Sequence, residues 1–138
     1  MSERANIVVV GIDGSVDSNA ALKWAEHYAI STGASLRLVA TWMWPQTYGA
    51  PLAFDNFQPD ELTHTVLEKA TTELTIPAER VETICRQGGA GPILVAESED
   101  AELLVVGSHG HSVVTTVLIG SVSAYCVHHA SCPVVVVR

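Results

Sequence analysis

The first strongly apolar run of the chain, Ile7-Val8-Val9-Val10-Gly11-Ile12, has no polar residue at alternate positions. A strand with one wet face would show that alternation, so this run belongs in a sheet covered on both faces, which in practice means a parallel sheet flanked by helices. It ends in Asp13-Gly14-Ser15, which is turn chemistry. Asp17 or Ser18 can then cap a helix carrying Ala21, Leu22, Ala25, Tyr28 and Ala29 at helical spacing, and Gly33 supplies its stop.

The same alternation of strand and helix continues to the end of the chain. Ser35–Thr41 reads as a second strand, followed by Trp42, Trp44, Pro45 and a Gly/Pro-punctuated loop to Gln58. That loop is long for a compact α/β domain, which marks it as a lid or a partner surface. Pro59 suits a first helical position, with Asp60 and Glu61 in the favourable first turn. Leu62, Val66, Ala70 and Leu74 then step by four along one face, and Pro77 ends the segment. Arg80–Cys85 reads as a third strand. Gly88-Gly89-Ala90-Gly91 turns the chain, and Pro92 opens a short helix to about Glu97. Ala101–Val106 is a fourth strand, Ser121 opens a last helix, and Val134–Val137 forms a fifth strand after Ser131-Cys132-Pro133.

This order predicts one α/β domain over residues 1–138: a doubly wound five-stranded parallel sheet with right-handed crossovers and helices on both faces. A strand order of 3-2-1-4-5 sets the end of the first strand, Asp13, beside the end of the fourth, Gly107. Ligands of such sheets bind outside the carboxyl ends of the strands where the order reverses.

Composition removes several classes of function. Fifteen acidic against seven basic residues, a formal net charge of −8, leave no basic stripe for nucleic acid. No run approaches the ~20 apolar residues of a membrane span. The opening MSERANIVVV lacks signal-peptide shape, so a cytoplasmic location is expected. Cys85, Cys126 and Cys132 form no C-x-x-C pair and read as buried reduced thiols.

The stretch Val106–Ser123 carries the chemistry. Gly107 and Gly110 let the backbone approach a ligand closely, and Gly120-Ser121 stands at a helix start whose positive end and capping hydroxyl suit phosphate. An ordinary strand-to-helix turn with a capping serine is the plainer alternative. Neither a G-x-G-x-x-G fingerprint nor a G-x4-G-K-[ST] loop is present, and no lysine follows Lys69, which disfavours phosphoryl transfer. A G-x-S-x-G nucleophile elbow is also missing. His109 and His111 lack the spacing and third ligand of a zinc site, and proximity to phosphate suits them better. His128-His129 complement a helix dipole. Asp13 either satisfies turn amides or contacts ligand. Trp42, Trp44 and Tyr48 either pack or form a partner surface.

Gly107-Ser108-His109-Gly110 with Gly120-Ser121, the opening IVVVGIDGS and the closing CPVVVV resemble the universal stress protein family, in particular its nucleotide-binding branch with the signature G-x2-G-x9-G-[ST]. The resemblance covers essentially the whole chain. It implies an adenine nucleotide alpha hydrolase-like fold that binds ATP, or AMP or cyclic AMP, together with Mg or Mn. By the same resemblance Asp13 approaches the ribose and a metal-bound phosphate, with Gly11, Ile12 and Ser15 on that side and Thr41 at the adenine. Val106, Gly107 and Gly110 follow ribose and phosphates with their backbone, and Gly120, Ser121 and Val122 hold the phosphates. Thr41 is more polar than the family's usual valine, and Gly11 and Ile12 also depart from common choices, which bears on base preference. The resemblance further implies a stress-response role and a homodimer through Val134–Val137, an edge strand that needs a partner; any ATP hydrolysis is expected to be slow, because the sequence shows no general base, lysine or arginine finger for it. A nucleotide-free interaction module of the same fold is the alternative. A flavodoxin-like electron carrier would need aromatic flanks that Gly107–Ser121 lacks.

Overall fold

Alternate residues of the central strands face opposite helix layers, and both layers are apolar. A computed structural model describes residues 5–44, 58–109 and 119–138. Its strands are β1 (Ala5–Gly11), β2 (Ser35–Trp42), β3 (Val81–Gln87), β4 (Ala101–Gly107) and β5 (Val134–Val137). They form one parallel sheet in the order β3-β2-β1-β4-β5, as expected. The helices are α1 (Val16–Thr32), α2 (Pro59–Thr72), α3 (Ala90–Glu97) and α4 (Ser121–His129).

Val8, Val10, Leu36, Leu38 and Val105 point to the layer of α1 and α2, where Ala21, Leu22, Ala25, Leu67 and Ala70 meet them. Val9, Val39, Leu104 and Val106 point the other way, toward Leu94 of α3 and Cys126 of α4. Two buried faces explain the missing polar alternation. Each fully buried leucine, such as Leu36, Leu38 or Leu104, contributes about 1.5–3 kcal/mol over an exposed one.

Several local expectations change. Ser15 caps α1, its Oγ accepting from Ser18 N at 3.1 Å; neither Asp17 nor Ser18 is the cap. Ser15 is the last extended residue (φ −75°, ψ 163°), so Asp17 moves into the first turn, and the Ser18 hydroxyl accepts from Asp13 N–H at 3.2 Å. Gly33 ends α1 as expected, with its N–H donating to Ala29 O at 2.9 Å.

Of the expected stripe on α2, Ala70 is buried in the core and Val66 and Leu74 pack against it, while Leu62 does not. Leu62 is 58% exposed, Leu67 and Ala70 are buried, and Leu74 lies beyond the helix end. This helix covers β2 and the edge strand β3, so only a narrow stripe meets the sheet. A 3-10 turn, Ala78–Arg80, precedes β3, and Arg80 Nη2 donates to the carbonyls of Ala29 and Ala34. Helix α3 starts at Ala90, two residues before Pro92.

Cys126 and Cys132 are buried and Cys85 is half-buried. Burial, with Cys132 adding to it, pushes the Cys126 thiol up to about 11. Trp42 and Trp44 meet edge to face at 5.9 Å and Trp44 is 53% exposed, while Tyr48 and the loop from Pro45 lie outside the described residues. Among the described residues no helix is long and apolar enough to cross a membrane.

Candidate functional site

Because β1 and β4 are neighbours at the reversal of strand order, their carboxyl ends open side by side. Ile12 N–H donates to Val39 O at 2.8 Å, which extends the β1–β2 pairing by one residue beyond β1. The chain then turns at Asp13, whose Oδ1 accepts from Ser15 N at 2.9 Å. One oxygen of Asp13 therefore does the turn work its residue type favours. Asp13 also lines a cavity of about 260 Å³ between the β1, β4 and α4 ends.

The β4 side is held together through one residue. Ser108 N–H donates to Val137 O at 3.0 Å, and its carbonyl accepts from Gly120 N–H and from Ser123 Oγ, the latter at 3.1 Å. Its hydroxyl donates to Asp17 Oδ2 at 2.9 Å. Ser108 thus ties β4 to β5, to α1 and to the start of α4. Neither glycine of this junction tolerates a side chain. A Cβ on Gly107 would lie 2.7 Å from the backbone of Asp17, and one on Gly120 would lie 2.9 Å from Ser108 O. The glycines serve close approach of backbone to backbone.

Gly120, not Ser121, is the N-cap of α4 (φ −67°, ψ 167°), and among the described residues no side chain caps this helix. Ser121 is its first residue, so the expected capping hydroxyl is absent. The serine that does anchor the turn is Ser123, whose Oγ also donates to Gly120 O at 3.0 Å. The first turn of α4, Ser121 to Ser123, lines the cavity, and a helix N-terminus is a place where backbone amides can bind phosphate.

Of the expected site residues, Gly11, Ile12, Asp13, Thr41, Val106, Gly107, Gly120, Ser121 and Val122 line the cavity. Ser15 is not among its lining residues, because its side chain is used in capping α1. Gly110 and His111 lie outside the described residues. The structure adds Val39, Ala90 and Leu94, which form an apolar floor with Val106, and Ser18, Ser108 and Ser123. His109 lines it as well, with Nδ1 2.9 Å from Ser108 Oγ and 3.3 Å from Asp17 Oδ2. Val39 was accessible to sequence reasoning, two residues before Thr41 on the same strand face. Ala90 and Leu94 were not, since only the path of α3 across the sheet brings them here.

The arrangement suits a ligand with one flat apolar part and one anionic part. Among the described residues no three His, Cys, Asp or Glu side chains converge on a metal position.

Comparison with known proteins agrees with this architecture. The model of the universal stress protein family matches residues 5–138, and the chain belongs to that family. A universal stress protein of Mycobacterium tuberculosis (strain ATCC 25618 / H37Rv) is 33% identical over 135 residues, covering 95% of this chain and 47% of that protein. The chain thus spans about half the length of the curated relatives it matches. Among solved structures, the universal stress protein UspA from Lactobacillus plantarum is 23% identical, with a TM-score of 0.75 and full coverage of both chains. A universal stress protein in complex with cAMP is 26% identical, with a TM-score of 0.73, covering 99% of this chain and 98% of that one.

Proposed function

We propose that this chain binds an adenine nucleotide at the carboxyl ends of β1 and β4, and that occupancy of the site, rather than turnover, is its output in a stress response. The observation that carries this reading is the start of α4, with no side-chain cap among the described residues, opening onto a cavity lined by Val39, Leu94 and Val106. A purine suits the apolar floor, and phosphate oxygens suit the amides of Ser121 and Val122. The family member complexed with cAMP supports the ligand class. ATP, AMP and cyclic AMP share the groups this site would read.

Asp13 is the carboxylate lining the cavity. A Mg or Mn ion bound with ATP would take one ligand there and the others from phosphates and water, as such ions commonly do. Among the described lining residues none is a lysine or arginine, so stabilisation of a transferring phosphoryl group is weak and any ATP hydrolysis is slow.

The β5 edge supports a second part of the reading, a homodimer. Its four valines are all half-buried and sit at the border of the sheet. An edge of such high β-propensity is protected by pairing with a second copy.

The direct test is nucleotide recovered from the purified protein after acid quench, followed by calorimetric titration with ATP, AMP and cyclic AMP. One site per chain is expected; no heat at millimolar nucleotide would refute the reading. Ser121→Asp is a cleaner discriminating variant than Gly120→Glu, whose Cβ would collide with Ser108 O.

A further inference from the structure

The cavity at the carboxyl ends of β1 and β4 is short of fixed positive charge, and the whole sequence bears on this. The chain has seven lysines and arginines in all, and none of those among the described residues lines the cavity. Arg37 and Arg80 are engaged at the amino ends of the strands, the first with Glu82 and Asp100, the second with the carbonyls of Ala29 and Ala34. Lys23 is exposed on α1 and Lys69 is exposed in the last turn of α2. Arg4 stands one position before β1. Two belong to the carboxyl half of the sheet. Arg86 pairs with Glu97 Oε1 at 3.0 Å, and Arg138 is exposed beyond the end of β5. The stretches 45–57 and 110–118, outside the described residues, contain neither lysine nor arginine.

Negative charge, by contrast, is built in. Asp13 lines the cavity, and its Oδ1 accepts from Ser15 N–H at 2.9 Å. Asp17 stands directly behind the wall: Gly107 lies close against its backbone, and its Oδ2 accepts from the Ser108 hydroxyl at 2.9 Å. Both donors are uncharged, so these bonds hold the carboxylates without neutralising them. His109 Nδ1 is 3.3 Å from the same Oδ2. On the positive side the wall has the start of α4, and a helix N-terminus is equivalent to about half an elementary charge. That suits a ligand bearing one negative charge. It does not offset several charges beside two carboxylates.

We propose that the site selects its adenine ligand by charge, favouring a singly charged phosphodiester of adenosine over metal-free ATP. This rests on the nucleotide reading and narrows it. Each added negative charge costs roughly threefold in affinity, the repulsion of one carboxylate at ~6 Å in water. Salt screens such repulsion. Binding of a highly charged nucleotide therefore tightens as salt rises, the reverse of a phosphate site built from lysine and arginine.

The test is calorimetric titration of the full chain with cyclic AMP, AMP and ATP in a chelator of divalent cations, at about pH 8.5, where an imidazole is neutral. The ligands then carry about one, two and four negative charges. Cyclic AMP is expected to bind at least about tenfold more tightly than ATP at about 0.02 M ionic strength, with AMP between them. At about 0.3 M, ATP should tighten severalfold while cyclic AMP stays within about twofold. Asp13→Asn keeps an acceptor for Ser15 N–H; it should raise ATP affinity and leave cyclic AMP nearly unchanged, which loss of packing would not do. Arg138→Gln should change neither. ATP that binds as tightly as cyclic AMP in the wild-type chain, or that weakens with salt, overturns the proposal and leaves the nucleotide reading standing, and this arm needs no variant to fold. Lost ATP affinity in Arg138→Gln, or no gain in Asp13→Asn, overturns it equally. No heat from any of the three ligands at millimolar concentration overturns both.

Discussion

At the amino ends of the strands, charged groups are spent on one another. Arg37 on β2 reaches Glu82 on β3 at 3.1 Å, Asp100 before β4 at 3.0 Å and the carbonyl of Glu97 at 2.8 Å. Burial alone would lower the Arg37 guanidinium, but its bonds to Asp100 and Glu82 outweigh that and hold it above its ordinary value. Glu26 accepts from the amides of Thr75 and Ile76, and Arg80 closes the carbonyls of Ala29 and Ala34. At the carboxyl ends the polar groups are amides, hydroxyls and a few ionisable side chains around a cavity. One end of the sheet is braced, and the other lines the cavity proposed as the ligand site. The difference teaches where substitutions should be felt: stability at the first end, binding at the second.

The largest expected effect tests that division at the ligand end. Ser121→Asp places a carboxylate at the first helical position of α4, where acidic residues stabilise a helix by about 0.3–1 kcal/mol, yet also at the proposed phosphate position. Nucleotide affinity should fall by roughly a hundredfold or more, the equivalent of about 2.7 kcal/mol, while the melting temperature holds or rises. Equal affinity in calorimetry would break the comparison at its strongest point.

The next effect concerns how α4 is anchored. The Cys126 thiol is raised from 9.0 to about 11 by burial and by Cys132. The folded state thus holds this proton more tightly than the unfolded chain. Its contribution is complete below about pH 9 and is lost as pH rises toward 11. Denaturant unfolding should show a loss on the order of 2 kcal/mol across that window, absent in Cys126→Ala. Cys85, half-buried, should react with thiol reagents before Cys126 and Cys132.

Smaller effects belong to the braces. Arg37→Met removes an ion pair whose carboxylates are more than half exposed, so about 1 kcal/mol of stability is expected to go, with nucleotide affinity unchanged. Ser15→Ala removes the cap of α1 and should cost about 1 kcal/mol. Any change in affinity would show that Ser15 acts on ligand after all.

The sheet was legible in the sequence for a physical reason. Val8 to Val10 and Leu103 to Val106 are buried on both faces, and only a parallel sheet between two helix layers does that to a short chain segment. Its strand order placed Asp13 beside Gly107, and hence most of the lining residues. What was not legible depends on contacts between distant parts of the chain. Asp17 and His109 are 92 positions apart and meet only because Gly107 lets α1 approach β4. The Ser15 cap was missed because Asp17 and Ser18 carry equally suitable side chains, and the backbone at Ser15 decides among them. The exposure of Leu62 was missed because residues four apart drift around a helix of ~3.6 residues per turn, so the far end of such a stripe leaves the face that Ala70 buries.

The central claim, that the carboxyl edge of the sheet is the nucleotide site and the amino edge its brace, is tested most directly by amide chemical-shift mapping with AMP. The account predicts that the signals of Gly11 to Asp13, Gly107 to His109 and Gly120 to Ser123 move while those of Arg37, Glu82 and Asp100 stay. Shifts centred on the Arg37 end, or none at millimolar AMP, would contradict it.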